Sequence, residues 1–424
     1  MSSSNNNSKM KRKRGKLFSS FLLGLILILV GGIFIRGIKT ESTIENRTLT
    51  EFPAFSIASF LKTDYQTGLE QALSDQLVLG QTLKATYNNI KRQNLGIIAS
   101  SLKSLKPLAK QQNGIPDNSV NNKVIAFPDL TPKGNNLFEL NDSHHLVFPR
   151  YENENANQLF QSKANNINML ADKYPNIDFY CFYIETDVDI DFINKEINHS
   201  LFNNFASFLN DRVNLSKLTI DMPEEYQKWF FKTDHHWNPA GQKEGYQHII
   251  ALLKGNDEKL IKTEIINVPS IRYNGYKSRK IDDYDISDTF SLLKGDLPGH
   301  KVYINSQPAP YGDKKTYEKG NYSSVQGFNH YAACYGYDYG VVEYRYNQPG
   351  KGNIVVFVES FSNPINEFIA AHFNNTYFID LRHYEKDCRK PFDFDDFIEG
   401  KNIDKVLLTG YLYFYANDTF LINY

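Results

Sequence analysis

The chain has 424 residues, of which 41% are hydrophobic and 14% aromatic, enough to bury a sizeable core and too apolar for a disordered or fibrous protein. Its net charge of −1 is unevenly spread: the first 35 residues hold six basic side chains and no acid, which leaves 41 basic against 48 acidic residues in the rest. That mildly acidic body lacks the cationic surface a phosphate backbone requires, so nucleic acid is excluded as a partner.

From the N-terminus, residues 1–16 read as a basic cytoplasmic tail, and Leu17–Ile35 is an uncharged apolar run close to the length that spans a hydrocarbon core. Basic residues crowd its N-terminal side, so the positive-inside rule places the remainder outside the cell membrane as a single-pass protein. Ile35-Arg36-Gly37 provides no small-x-small cleavage site, which favours an anchor over a removable signal peptide. Residues 36–122 read as a membrane-proximal stalk with a helical region over 65–108, closed by a Gly-, Pro- and Asn-rich loop at 109–122.

Residues 123–424 form the expected catalytic body. Apolar runs at Val124–Phe127 and Leu146–Phe148 predict early strands, and Leu159, Ala164, Ile167 and Leu170 recur at helical spacing. Ile177–Ile184 reads as a buried strand. A second series follows near the C-terminus: strand Ile354–Val358, helix Ile365–Phe373, strand Thr376–Ile379, short helix Asp393–Ile398 and strand Val406–Thr409. This alternation predicts an α/β three-layer sandwich with a mostly parallel sheet. Between the halves, residues 256–350 are rich in Tyr, Gly, Asp and Lys and read as an insertion of loops over the active face. The three cysteines, Cys181, Cys334 and Cys388, show no metal-like spacing; a Cys334–Cys388 bridge is one option.

Two stretches carry chemistry. In Phe231–Gly241, Asp234 and His236 stand two apart, so the carboxylate can fix the imidazole tautomer and stabilise its protonated form. Asn238-Pro239 then supplies the cap and first position of a helix whose apolar face is Tyr246, Ile249, Ile250 and Leu253. The bland alternative is a hydrogen-bonded surface turn; a metal site would need a third ligand, and none presents itself nearby. In Asn353–Pro364, an apolar strand ends at Glu359-Ser360 before a helix begins, which sets Ser360 at the carboxyl end of a parallel strand. A serine there can act as nucleophile with its own N–H near the oxyanion, or Ser360 or Ser362 can merely cap the helix.

These residues together resemble the DHHW protein family, named for the motif present here as Asp234-His-His-Trp237, and are similar to the alginate O-acetyltransferase branch of the SGNH hydrolase-like superfamily. Glu45-Asn46-Arg47 followed by Phe52-Pro53, Ser360 in a variant of Gly-Asp-Ser-Phe, and Ile379-Asp-Leu-Arg-His-Tyr384 extend the resemblance over most of the chain. It implies Ser360 as nucleophile, His236 as general base and Asp234 as its orienting partner, without metal or other cofactor. It implies Arg382 as a substrate or oxyanion residue and Asn274-Gly275 as a turn that can add an oxyanion donor. Tyr411 and Tyr413 follow the last predicted strand and can face the same cleft. The activity implied is O-acetyl transfer to a cell-surface or secreted polysaccharide, with a membrane-embedded acyl donor protein as partner. A carbohydrate acetyl esterase with the same triad and a non-catalytic polysaccharide-binding protein are the alternatives. Asp187-Val-Asp-Ile-Asp191 ahead of Asp234-His-His236 also suggests a metal phosphoesterase, although the further glycine- and histidine-rich motif of such enzymes is missing. Two departures stand out: Glu359 replaces the family's Asp beside the serine, and Gln81 stands where an arginine is expected.

Overall fold

A computed structural model describes residues 37–38, 41–42, 47–48, 52–57, 64–76 and 125–424 except 321 and 324–326. The chain divides into two units, Met1–Lys110 and Gln111–Tyr424. In the first, β1 (Glu41–Ser42) pairs antiparallel with β2 (Arg47–Thr48), and α1 (Asp64–Gln76) realises the start of the predicted helical region. The apolar run 17–35, Gln81 and the loop 109–122 lie outside the described residues. Among the described residues no helix is long and apolar enough to cross a membrane.

The second unit opens with a small antiparallel sheet of β3 (Leu130–Gly134), β4 (Leu137–Leu140) and β5 (Leu146–Val147). Asn135 and Asn136 join its first two strands with φ of 50° and 59°, the left-handed pair that a two-residue hairpin demands. Residues 125–127, expected as a strand, are irregular, and Leu146–Val147 belongs to this small sheet, not the large one.

The chain continues through α2 (Ala156–Lys173), β6 (Asp178–Ile184), α3 (Ser200–Ala206), β7 (Val213–Leu218), α4 (Pro223–Trp229) and α5 (Pro239–Lys254). A hairpin of β8 (Thr263–Tyr273) and β9 (Asp288–Gly295) encloses α6 (Tyr276–Ile281). Next come β10 (Lys301–Ile304), β11 (Gln307–Pro308), α7 (Lys314–Glu318), α8 (His330–Tyr335) and β12 (Val341–Arg345). The C-terminal series is β13 (Asn353–Phe357), α9 (Asn366–Ala370), β14 (Asn375–Ile379), α10 (Leu381–Cys388), α11 (Phe394–Ile398), β15 (Ile403–Tyr411) and α12 (Leu412–Tyr415).

Eight strands form the large sheet in the order β11-β10-β12-β14-β13-β15-β6-β7. From β14 to β7 all neighbours are parallel, while β12, β10 and β11 add an antiparallel edge. Those edge strands come from residues 256–350, so that segment is not purely loops: part of it widens the sheet.

Side chains alternate across the sheet into two cores. Tyr180, Phe182, Ile184, Ile354 and Val356 pack with Tyr246, Ile249, Ile250 and Leu253 of α5, while Phe179, Cys181, Tyr183, Val355 and Phe357 pack with Phe160, Ala164, Ile167 and Leu170 of α2. Burying a large apolar side chain contributes about 1.5–3 kcal/mol. A one-residue slip of β6 or β13 would exchange every side chain between layers, so these packed faces fix the register. All three cysteines are free thiols, with Cys181 and Cys334 buried, so no Cys334–Cys388 bridge forms.

Candidate active site

The motif loop is held rigid before any catalytic contact is considered. Phe230 and Trp237 form an antiparallel bridge, with Phe231 N donating to His236 O and Asn238 N to Trp229 O. Asn238 Oδ1 then accepts from Ala240 N at 2.9 Å and Gly241 N at 3.2 Å, capping α5 as its sequence predicts; such a cap contributes about 1 kcal/mol. Trp237 is fully buried and meets Phe361 edge-on at 5.7 Å, which ties the motif loop to the segment after β13.

That segment brings Ser360 to the loop. Val358 N donates to Ile379 O, and the chain turns sharply over Glu359–Asn363 at the carboxyl end of the parallel strands. Ser360 Oγ lies 2.9 Å from His236 Nε2, and His236 Nδ1 lies 2.7 Å from Asp234 Oδ1. All three residues are buried.

Asp234 is satisfied at both oxygens. Oδ1 also accepts from His236 N at 3.1 Å, and Oδ2 accepts from Tyr273 Oη at 2.6 Å and Tyr276 N at 2.8 Å. Burial alone would raise its carboxyl, but the His236 and His235 rings outweigh that and hold it well below the usual carboxylate range. Burial likewise pushes His236 down to about 4, with His235 adding to the fall and Asp234 opposing it. His236 is therefore neutral near pH 7, with Nδ1–H on Asp234 and Nε2 free to take a proton. Tyr331 of α8 stacks on its ring at 3.9 Å and 12°, and donates its hydroxyl to Ser360 O at 3.0 Å.

This geometry sits on a fold found elsewhere. No family model matches the chain, and no curated protein matches it. Among solved structures, Bacillus cereus PatB1 with a sulfonyl adduct superposes with a TM-score of 0.51 at 20% identity, over 67% of this chain and 98% of that one. A DHHW family protein from Eubacterium siraeum gives a TM-score of 0.52 at 16% identity, over 69% of this chain and 95% of that one. The chain has the DHHW-protein fold. The likeness is one of fold, and the α/β architecture with its large sheet is common to all three.

Within this DHHW fold, the other residues singled out in the sequence are differently employed. Gly275 N donates to Thr233 Oγ1, and Asn274 Nδ2 donates to Ile286 O and Tyr284 O, so the Gly275 N–H and the Asn274 side-chain amide both have acceptors within the protein. Gly275 instead permits close approach: a Cβ there would lie 2.4 Å from Asp234 Cβ and 2.5 Å from Asp234 Oδ2. Gly275→Ala is expected to push Asp234 or α6 aside, lowering acylation of Ser360 at least about 10-fold and stability by about 1–3 kcal/mol. Gly299→Ala, where a Cβ meets nothing within 4 Å, serves as control in the same rate and melting measurements.

Arg382 sits in an ion-pair network. Its Nε donates to Asp380 Oδ1 at 2.9 Å and its Nη2 to Asp338 Oδ2 at 3.0 Å, while Asp338 Oδ1 accepts from Asn363 Nδ2 at 2.9 Å. Arg382 thus braces the turn that carries Ser360. Tyr411 stacks on Phe361 at 5.0 Å, beside a cleft of about 480 Å³ lined by Phe148, Asp187, His235, Tyr276, Tyr411 and Tyr413.

Hydrogen bonding accounts for the carboxylate clusters. Asp234, His235 and His236 bring ligand-type atoms within 4.8 Å of one another, as do Asp338, Asp380 and His383. Yet His236 commits both ring nitrogens to Asp234 and Ser360, and Arg382 bridges Asp338 and Asp380. In the 187–191 run, Asp187 pairs with Lys277 Nζ at 2.7 Å, Asp189 accepts from Tyr183 Oη at 2.7 Å, and Asp191 accepts from Asn194 N at 2.8 Å.

Three supporting residues escaped sequence reasoning. Tyr273 and Tyr331 buttress Asp234 and His236, and Asp288 accepts from Lys232 N, Thr233 N and Thr233 Oγ1 to hold the loop. Glu359, the departure already noted beside the serine, touches Ser360 itself. Only Tyr273, next to Asn274-Gly275, lay beside a residue already under suspicion.

Proposed function

We propose that this chain is a serine-dependent O-acetyltransferase that modifies a polysaccharide outside the membrane. The observation that carries the reading is the relay Ser360 Oγ, His236 Nε2, His236 Nδ1, Asp234 Oδ1, with contacts of 2.9 and 2.7 Å. In the first half-reaction His236 takes the serine proton as Oγ attacks the acetyl carbonyl, and the protonated imidazole then returns that proton to the departing donor group. In the second, His236 deprotonates a sugar hydroxyl as it attacks the acetyl-serine ester, and the imidazolium then gives that proton to the departing Ser360 Oγ.

Burial of Ser360 and His236 limits the access of water, which supports transfer over simple hydrolysis. The neighbouring cleft supports a glycan acceptor, since Tyr276, Tyr411 and Tyr413 offer the flat faces on which sugar rings stack. The basic tail and the apolar run 17–35 support attachment to the membrane, where an embedded acyl-donor protein is the natural source of acetyl groups.

The test is incubation of the purified full chain with a chromogenic acetyl ester, followed by mass analysis of its peptides. A gain of about 42 daltons on the Ser360 peptide is expected, the mass of acetyl replacing hydrogen. A burst of chromophore with no adduct at Ser360 would remove the serine from the scheme. Sulfonyl reagents, a class seen as an adduct on PatB1, provide a second label for the same hydroxyl.

A further inference from the structure

Glu359 is a buried acid in contact with the nucleophile, and the acyl-transfer scheme gives it no task. It is 3% exposed. Its Oε2 lies 3.2 Å from Ser360 Oγ and accepts from Phe361 N at 3.2 Å, while its Oε1 is buried with no hydrogen-bond partner. Gly410 of β15 closes against it, since a Cβ there would stand 3.2 Å from Glu359 Cγ.

The serine hydroxyl has one proton and faces two acceptors, His236 Nε2 at 2.9 Å and Glu359 Oε2 at 3.2 Å. An ionised Glu359 is acceptor-only and, being charged, outcompetes a neutral imidazole for that proton. A neutral Glu359 reverses the arrangement: its carboxyl O–H donates to Ser360 Oγ, the same oxygen still accepts from Phe361 N–H, and the serine proton is left for His236. Resting on the serine reading above, we infer that Glu359 works as a neutral carboxylic acid, a positioning residue that directs the Ser360 proton toward His236.

The surroundings favour the neutral form. Around Glu359 stand His236 on the motif loop, Tyr331 of α8, Asp338 before β12, Asp380 and Arg382 at the start of α10, Tyr411 of β15 and Tyr415 of α12. Arg382 is the cation of this set, and it is already paired with Asp380 and Asp338. Burial therefore dominates and pushes the Glu359 carboxyl up to about 8, with Arg382 and the Phe361 N–H opposing and Asp338 and Asp380 assisting.

The experiment is the rate of Ser360 acetylation by a chromogenic ester in the full chain from pH 6 to pH 10, for wild type and Glu359→Gln. In wild type the rate is expected to fall as Glu359 ionises, reaching about 30-fold below its pH 7 value by pH 9.5. In Glu359→Gln, which cannot ionise, the ratio of the two rates rises to near one. A wild-type rate that holds level through pH 9.5, or an alkaline fall that persists unchanged in Glu359→Gln, overturns the inference.

An independent reading uses Asp189→Asn, which removes another buried carboxyl pushed up to about 7. The infrared difference between Asp189→Asn and Asp189→Asn, Glu359→Gln, which cancels Asp288 (also pushed up, to about 6), should contain at pH 7 the carbonyl band of a neutral acid that is lost by pH 9.5, and absence of that band also overturns the inference. That difference reports on Glu359 whether or not Ser360 ever takes an acetyl group. Failure of labelling at every pH would strike the acetyltransferase reading instead.

Discussion

Ser360→Ala is expected to abolish acetyl and sulfonyl labelling and to lower acetyl transfer by about 10⁶-fold, the scale reached when a serine nucleophile is removed from a working triad. The residual rate would come from binding and electrostatics alone. The fold should survive, because the main-chain carbonyl of Ser360 still accepts from Tyr331 Oη and the Glu359 contact with Phe361 N is untouched. What is lost is the hydroxyl facing His236 Nε2, and leaving that buried acceptor without a donor costs about 1–3 kcal/mol. The measurement is transfer to polysaccharide by the purified full chain, alongside thermal melting and glycan binding. A variant that binds glycan, melts a few degrees lower and transfers nothing fits the serine scheme. Unaltered acetylation of the cell-envelope polysaccharide in a strain carrying Ser360→Ala would instead leave this chain as a binding protein.

The catalytic pair was legible in the sequence because both halves sit at element boundaries with strong local signals. Asn238-Pro239 announces the start of α5, and the unbroken apolar run of β13 announces the strand whose end carries Ser360. The buried parallel strands β6, β13, β14 and β15 were legible for the same reason, since a strand covered on both faces reads as a continuous apolar segment. β7 was missed because Val213-Asn-Leu-Ser-Lys-Leu218 lies at the sheet edge, where polar residues interrupt the apolar run that marks a strand buried on both faces. The strands β10 and β12 were missed because they lie toward the opposite edge, within a polar, Tyr-rich stretch.

The residues around the triad were illegible for a different reason. Tyr273, Asp288 and Tyr331 reach the motif loop through contacts 39 to 95 positions away in sequence, and no local period encodes such a meeting. Arg382 and Gly275 were legible as positions, but not the partners they have here: Asp380 and Asp338 for the arginine, Thr233 for the glycine N–H.

Asp234→Asn is expected to lower acylation of Ser360 by about 10⁴-fold, or about 5 kcal/mol of transition-state stabilisation. The two carboxylate oxygens each face a fixed backbone donor, His236 N at Oδ1 and Tyr276 N at Oδ2. An asparagine has one acceptor oxygen, so either orientation of the amide opposes N–H to N–H. The contact at 3.1 Å is longer than that at 2.8 Å, so the amide nitrogen is expected to take the Oδ1 position. There it donates to His236 Nδ1 and forces the proton onto Nε2, which then faces Ser360 Oγ as a donor and cannot act as base. The acylation rate of Asp234→Asn checks the size of the effect, and the Asp234→Asn, Ser360→Ala double variant checks its origin. If Asp234 acts only through the relay, the double variant is no slower than Ser360→Ala alone, because a relay without its nucleophile has nothing left to lose. Losses that multiply would mean that Asp234 supports the site by some route other than His236.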